Sequence, residues 1–205
     1  MRSLHPVGDR AVIVDCDDLD GVLALHDALA GSQPGGIVDI VPAARTVLVS
    51  FDPAVIAADR VVGWIRGSHP IPRSARTDDE QVTIEVEYAG EDLREVAALV
   101  GMGEREVVDL HTASVWRVAF VGFAPGFGYL VTDHSRLEVP RRSSPRTAVP
   151  AGSVALAGEF TGVYPRSSPG GWQLIGQTET AVWDEVAAEP AMLVPGRVVR
   201  FREAS

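Results

Sequence analysis

The chain has 205 residues, 28 acidic and 18 basic side chains, a net charge of −10 and an isoelectric point near 4.9. That length suits one large domain or two small ones, and the 46% hydrophobic content supports a buried core without a disulfide or metal staple. The acidic balance argues against nucleic acid as a partner, and no apolar run approaches the roughly 20 residues that span a bilayer.

In chain order, Ala11 to Asp15 (AVIVD) reads as a strand. Leu19, Val22, Leu23, His26 and Leu29 recur at helical spacing, with Asp18 as the N-cap. Strands follow at Ile37 to Val41 and Thr46 to Phe51. Asp52-Pro53 is a helix start, a cap followed by proline at the first helical position, with Val55, Ile56, Val61, Val62 and Ile65 as the apolar stripe. The order β-α-β-β-α predicts a small ferredoxin-like α/β domain over 1–75. Pro70 to Glu80 (PIPRSARTDDE) is polar, holds two prolines and reads as the linker to a second domain over 80–205. In that domain, Gln81 to Tyr88 is an alternating strand, and Asp92 to Val100 and Glu104 to His111 are short amphipathic helices. Val115 to Val121 is a strand. Short strands among turns complete the chain, at Ser153 to Ala157, Gln173 to Ile175, Thr180 to Asp184 and Val198 to Arg202, which is the pattern of a compact β-barrel or sandwich. The fold class is therefore α+β.

Phe120 to Gln177 has the most unusual composition. Fifteen of its 58 residues are Gly or Pro, yet Phe120, Phe123, Phe127, Tyr129, Phe160, Tyr164 and Trp172 are interleaved with them. Flexible linkers lack such aromatics, so this segment can fold into a shaped surface. It is also locally basic: Arg136, Arg141, Arg142, Arg146 and Arg166 stand against Asp133, Glu138 and Glu159. A basic, loop-rich patch on an acidic body points to an anionic ligand.

The chain contains no lysine and no asparagine. This excludes a Walker-type phosphate lysine, a Schiff base, a Ser–Lys dyad and a biotinylated lysine in this chain. The five histidines show no metal-binding spacing, and Cys16 is alone, so neither a metal site nor an internal disulfide is expected. The N-terminal MRSLHPVGDR has no hydrophobic core of a signal peptide, which makes the cytoplasm the expected location.

Several rim residues are candidates for the site. Gly126 sits in a turn that either exposes backbone N–H groups as an anion nest or packs aromatics tightly. Arg146 is braced by prolines in SSPRTAV, either for bidentate recognition of a carboxylate or phosphate or as a surface arginine making water contacts. Ser168, Gly170 and Gly171 offer a hydroxyl and free N–H groups beside Trp172. Ser153 follows Gly152 but is not in a G-x-S-x-G elbow. His111 ends a helix just before the segment, either as a cation at the helix C-terminus or as a site residue. No residue is singled out as catalytic.

The motifs GFAPGFGYL, PRRSSPRTAVPAGSVALAGEFTGVYP and SPGGWQLIGQT, with HPVGDRAVIVD and GIVDIVPAARTVLVSFDP upstream, resemble the allophanate hydrolase subunit 1 family. That family is also known as KipI, as component B of 5-oxoprolinase, or as the C and D part of the urea carboxylase carboxyltransferase domain. The resemblance covers nearly the whole chain and implies a small α/β domain followed by a cyclophilin-like β-barrel. It implies a partner subunit of carboxyltransferase A/B type, with a site shared at the interface, and a third LamB/YcsF-like subunit. ATP with magnesium is the implied cofactor of the complex, and no biotin is attached to this chain. The first implied activity is ATP-dependent opening of 5-oxoproline to glutamate by the assembled complex. The alternatives are a urea- or allophanate-linked hydrolase or carboxyltransferase subunit, and a non-catalytic module that inhibits a histidine kinase. The implied site set is His111, Gly126, Arg146, Ser153, Tyr164, Ser168, Gly170 and Gly171. Gln177 replaces the arginine usual in the family's I-G-R-T motif, and Gly128 stands where proline is common.

Overall fold

The computed structural model describes residues 2–69 and 81–204. The predicted linker Pro70–Glu80 lies outside the described residues. The chain divides into two compact units, 1–76 and 77–205.

The first unit contains β1 (Leu4–Val7), β2 (Ala11–Asp15), α1 (Leu19–Ala30), β3 (Ile37–Pro42), β4 (Thr46–Phe51) and α2 (Ala58–Gly67). Its sheet runs β1-β2-β4-β3 with antiparallel neighbours throughout. Helix α1 joins β2 to β3, and β4 inserts between them, which is the split β-α-β of a ferredoxin-like fold. The strand beside β2 comes from the short N-terminal hairpin β1, which its sequence LHPV does not announce. Alternation along β2 and β4 buries Val12, Val14, Val47, Val49 and Phe51, while Val22, Leu25 and Leu29 of α1 and Val61 and Ile65 of α2 are also buried. Asp18 caps α1 as expected, its Oδ1 accepting the Gly21 N–H at 2.7 Å.

The Asp52-Pro53 signal gives a different result. Asp52 does cap a turn, accepting the Ala54 N–H on Oδ1 and the Val55 and Ile56 N–H groups on its carbonyl, all at 3.0 Å. That turn stops after one cycle, and α2 starts afresh at Ala58. Ile56 is buried while Val55 is exposed, so the stripe that holds α2 is Val61 and Ile65.

The second unit contains β5 (Gln81–Val86), α3 (Leu93–Val100), α4 (Glu104–Ala113), β6 (Trp116–Val121), β7 (Gly128–Val131), β8 (Arg146–Val149), β9 (Ser153–Ala157), β10 (Phe160–Val163), β11 (Ser168–Gly170), β12 (Gln173–Gln177) and β13 (Val198–Glu203). Seven strands form one sheet in the order β12-β9-β10-β7-β6-β13-β5, in which β13 and β5 pair in parallel. Its two ends meet. Glu87 and Gln177 exchange backbone hydrogen bonds of 2.8 and 2.9 Å, and Asp92 N–H reaches Leu174 O at 2.9 Å. The sheet is thus a nearly closed barrel. The predicted strand at Thr180–Asp184 is instead a loop with one isolated bridge, Trp183 to Ala191. The core holds Ile84, Val86, Val118, Leu130, Val154, Leu156, Ile175 and Phe201, with Val96, Val107 and Val108 brought in by α3 and α4.

The seam closes only because two glycines let the backbones touch. A Cβ on Gly90 would lie 2.4 Å from Leu174 O and from the Ile175 carbonyl carbon. A Cβ on Gly176 would lie 2.8 Å from Glu87 O. Gly90→Ala is therefore expected to destabilise the chain by about 3 kcal/mol through overpacking against backbone that cannot yield. Gly67→Ala, at a helical glycine with open space around it, is the control expected to change little. Urea unfolding of the two variants checks this.

Candidate functional site

The Gly/Pro-rich segment supplies four strands of the barrel, β7, β9, β10 and β12, and adds the separate β8-β11 ribbon. Its aromatics form a second cluster, separate from the barrel core. Phe120 stacks on Tyr129 with ring centroids 4.5 Å apart, and Phe160 meets both rings edge-on. Phe127 contacts Tyr129, Tyr164 and Trp172 at 5.1–5.3 Å. Edge-to-face packing of this density adds directional stabilisation to the area buried, so the segment is ordered despite its turns.

Of the two readings of the turn at Gly126, the tight one is present. Phe127 N–H bonds Ala124 O at 3.0 Å, with Pro125 and Gly126 (φ +81°) at the turn's central positions, a type II arrangement. Trp183 packs on Gly126 so closely that a Cβ there would lie 2.5 Å from the tryptophan Cβ. Beside it Phe123 is held at φ +67° and stays 58% exposed.

Arg146, at the start of β8, faces Gly170 across the ribbon. Its Nη2 donates to Asp92 Oδ1 at 2.9 Å and to Glu91 Oε2 at 3.0 Å. Arg142 Nη1 donates to the same Asp92 oxygen at 2.6 Å and lies 3.8 Å from Glu95. Asp92 Oδ2 accepts the Leu174 N–H at 2.7 Å. Asp92 occupies the N-cap position of α3, yet its carboxylate makes no cap hydrogen bond and turns instead to β12 and the two arginines. Burial alone would raise its pKa; the Arg146 hydrogen bond, the Leu174 N–H and the two guanidinium charges hold it below the usual carboxylate value. Arg142 Nε and Arg146 Nη1 are buried without a partner among the described residues.

Tyr164 is buried, and its phenol covers Gly170, where a Cβ would lie 2.3 Å from the hydroxyl oxygen. Gly171 O accepts the Arg142 N–H at 2.8 Å, and Ser168 Oγ donates weakly to Arg166 O at 3.4 Å. Arg146, Tyr164, Gly170 and Gly171 therefore come together around the ribbon, with Ser168 at its far end.

Ser153 and His111 lie elsewhere. Ser153 is buried, and its hydroxyl donates to Gln177 Oε1 at 3.2 Å, while Gln177 Nε2 donates to Ala151 O at 2.5 Å. Gln177 thus ties down the strand ends rather than presenting a charge. His111 sits fully buried in α4, 4.4 Å from the Phe201 ring centroid and 5.0 Å from that of Trp116. Thr161 Oγ1 donates to Ala155 O at 3.1 Å, so it accepts from His111 Nε2–H at 3.0 Å, and Tyr88 O–H donates to Nδ1 at 2.7 Å. Burial pulls the imidazole pKa down to about 3. The ring is neutral and shut in the core, not a cation at a helix end.

Asp92 was not among the sequence candidates. The signal for it is indirect: Arg142 and Arg146 lie in a segment poor in acids and need a counter-charge, and Glu91-Asp92 supplies one across the barrel seam. In the first unit, a cavity of about 540 Å³ is lined by Arg2, Arg45, Cys16 and the carboxylates of Asp15, Asp17 and Asp18. Carboxylates outnumber arginines there, which disfavours an anion. Among the described residues no helix is long and apolar enough to cross a membrane.

This geometry, a split β-α-β unit and a nearly closed barrel carrying a braced arginine rim, agrees with the similarity to known proteins. The model of the carboxyltransferase domain, subdomains C and D, matches residues 2–193. The chain belongs to that family. It is 41% identical over 172 residues to the protein named as component B of 5-oxoprolinase in Escherichia coli O157:H7, covering 80% of this chain and 77% of that one. With the protein of the same name from Bacillus subtilis strain 168 it shares 34% identity over 219 residues, 97% of this chain and 91% of that one. Among solved structures, TTHA0988 is 37% identical with a TM-score of 0.78 over 96% of this chain, which spans only 40% of the TTHA0988 chain. Kluyveromyces lactis urea carboxylase shares the fold at a TM-score of 0.78, with 18% identity, over 100% of this chain and 22% of that one.

Proposed function

We propose that the chain is component B of an ATP-dependent 5-oxoprolinase, inactive alone and completed by a carboxyltransferase A/B-like partner and a LamB/YcsF-like third subunit. The observation that carries this reading is its similarity to two relatives that bear that name, over 80% and 97% of this chain. The need for a partner accords with the rim itself. The cluster at Arg142 and Arg146 does not suit a nucleoside triphosphate: both arginines are neutralised by Asp92, Glu91 and Glu95, and the Leu174 N–H is taken by Asp92. In this reading the partner holds ATP, and this chain contributes a rigid wall that orients the lactam substrate.

Co-expression with the two expected subunits tests it. ATP-dependent release of glutamate from 5-oxoproline is expected only when all three are present. A complete assembly that releases no glutamate with ATP would overturn the reading.

A further inference from the structure

Arg141 lies between two anchored residues, since Pro140 O accepts from Gln173 Nε2 at 3.3 Å and the Arg142 N–H bonds Gly171 O at 2.8 Å. The backbone at Arg141 therefore runs beside Trp172, whose ring centroid is 5.5 Å from that of Tyr129. Unlike Arg142 and Arg146, Arg141 is exposed and forms no ion pair among the described residues. Tyr129 is half-buried, and its hydroxyl makes no hydrogen bond among the described residues. Burial raises the pKa of the Tyr129 and Tyr164 phenols, and the positive charge of Arg141 works against that rise. The two partnered arginines face three acids, so their cluster does not attract an anion. Arg136 and Arg166 are also exposed and form no ion pair among the described residues, but Arg141 is the one whose backbone is held beside Trp172, the neighbour of Tyr129.

We infer that Arg141 and Tyr129 form a binding site for the carboxylate of a small ring substrate, with the aromatic bed of Trp172, Phe120 and Phe160 supporting Tyr129 from behind. An exposed guanidinium donates to both carboxylate oxygens, and the phenol adds a third donor. Identifying the carboxylate as that of 5-oxoproline rests on the function proposed above; the site itself does not.

Phenylglyoxal modification of the full chain, alone and in the co-expressed assembly, tests this with the modified arginines mapped by mass spectrometry. Arg141 is expected to react about tenfold faster than Arg142 and Arg146, whose guanidiniums are held by Asp92. 5-Oxoproline is expected to protect Arg141 and not the exposed Arg136 and Arg166, and its carboxamide analogue to protect none of them. Tyr129→Phe should weaken that protection. In an active assembly, Arg141→Gln should raise KM for 5-oxoproline about tenfold with kcat little changed. Protection by another carboxylate, such as glutamate, with none by 5-oxoproline keeps the site and removes the substrate. Equal reactivity of the three arginines, or no protection of Arg141 by any carboxylate, overturns the site whatever the assembly's activity.

Discussion

Asp92→Ala is expected to lower the melting temperature by about 10–20 °C, the result of losing about 3–5 kcal/mol. The carboxylate is 3% exposed and receives three hydrogen bonds, from Arg142, Arg146 and the Leu174 N–H. Removing it leaves two largely buried guanidiniums, which already carry one orphaned nitrogen each, with only the exposed Glu91 and Glu95 nearby. It also frees the Leu174 N–H at the barrel seam. Asp92→Asn preserves the shape and one acceptor for Leu174, so it should retain part of the stability. Scanning calorimetry of both variants decides this; a shift of only a degree or two for Asp92→Ala would mean that the cluster behaves as a solvated surface pair.

Acid should destabilise the chain in a window that belongs to His111. The folded-state pKa of the imidazole is about 3 and its ordinary value about 6.5. The unfolded chain therefore binds the extra proton between those values, and the contribution of neutral His111 to stability is full above about pH 6.5 and shrinks as the pH falls toward 3. From pH 7 to pH 5 the loss is about 2 kcal/mol. Glutamine can reproduce both hydrogen bonds, donating to Thr161 and accepting from Tyr88, without titrating. His111→Gln should therefore be somewhat less stable at pH 7 but lack that acid loss of about 2 kcal/mol. Urea unfolding at pH 7 and pH 5 compares the two. Asp92 acts in a separate, lower window, because its depressed carboxyl pKa supports stability above the ordinary carboxylate value and gives it up as the pH falls further.

How much of this was legible in the sequence depends on whether the pattern is local. The strands at Ala11–Asp15 and Thr46–Phe51 are readable because burial on one face leaves an alternating signature. Strand β9 is buried at every position and shows only as a short apolar run, while β10, FTGV, is equally buried but interrupted by Thr and Gly and gives no signal. The aromatic interleaving of Phe120 to Gln177 did identify an ordered surface. It could not separate arginines with a carboxylate partner from those without, because the acids that neutralise Arg142 and Arg146 lie some fifty positions upstream across the seam. For the same reason Asp92 reads only as the first residue of a short amphipathic helix, and His111, at its helix end, as either a dipole cation or a site residue. In each case the deciding partner is remote in sequence and adjacent in the barrel.

The parallel pairing of β5 with β13 also bears on how the barrel is made. Gln81 pairs with Val198 and Val86 with Glu203, so the unit's opening strand waits for its final one. Until residue 203 has left the ribosome, the edge of β5 and the facing edge of β6 stay open. Contacts this distant are reached slowly, and open edges meanwhile invite pairing with other chains. Synthesis alongside a partner that shields those edges would favour recovery of the folded chain over aggregation.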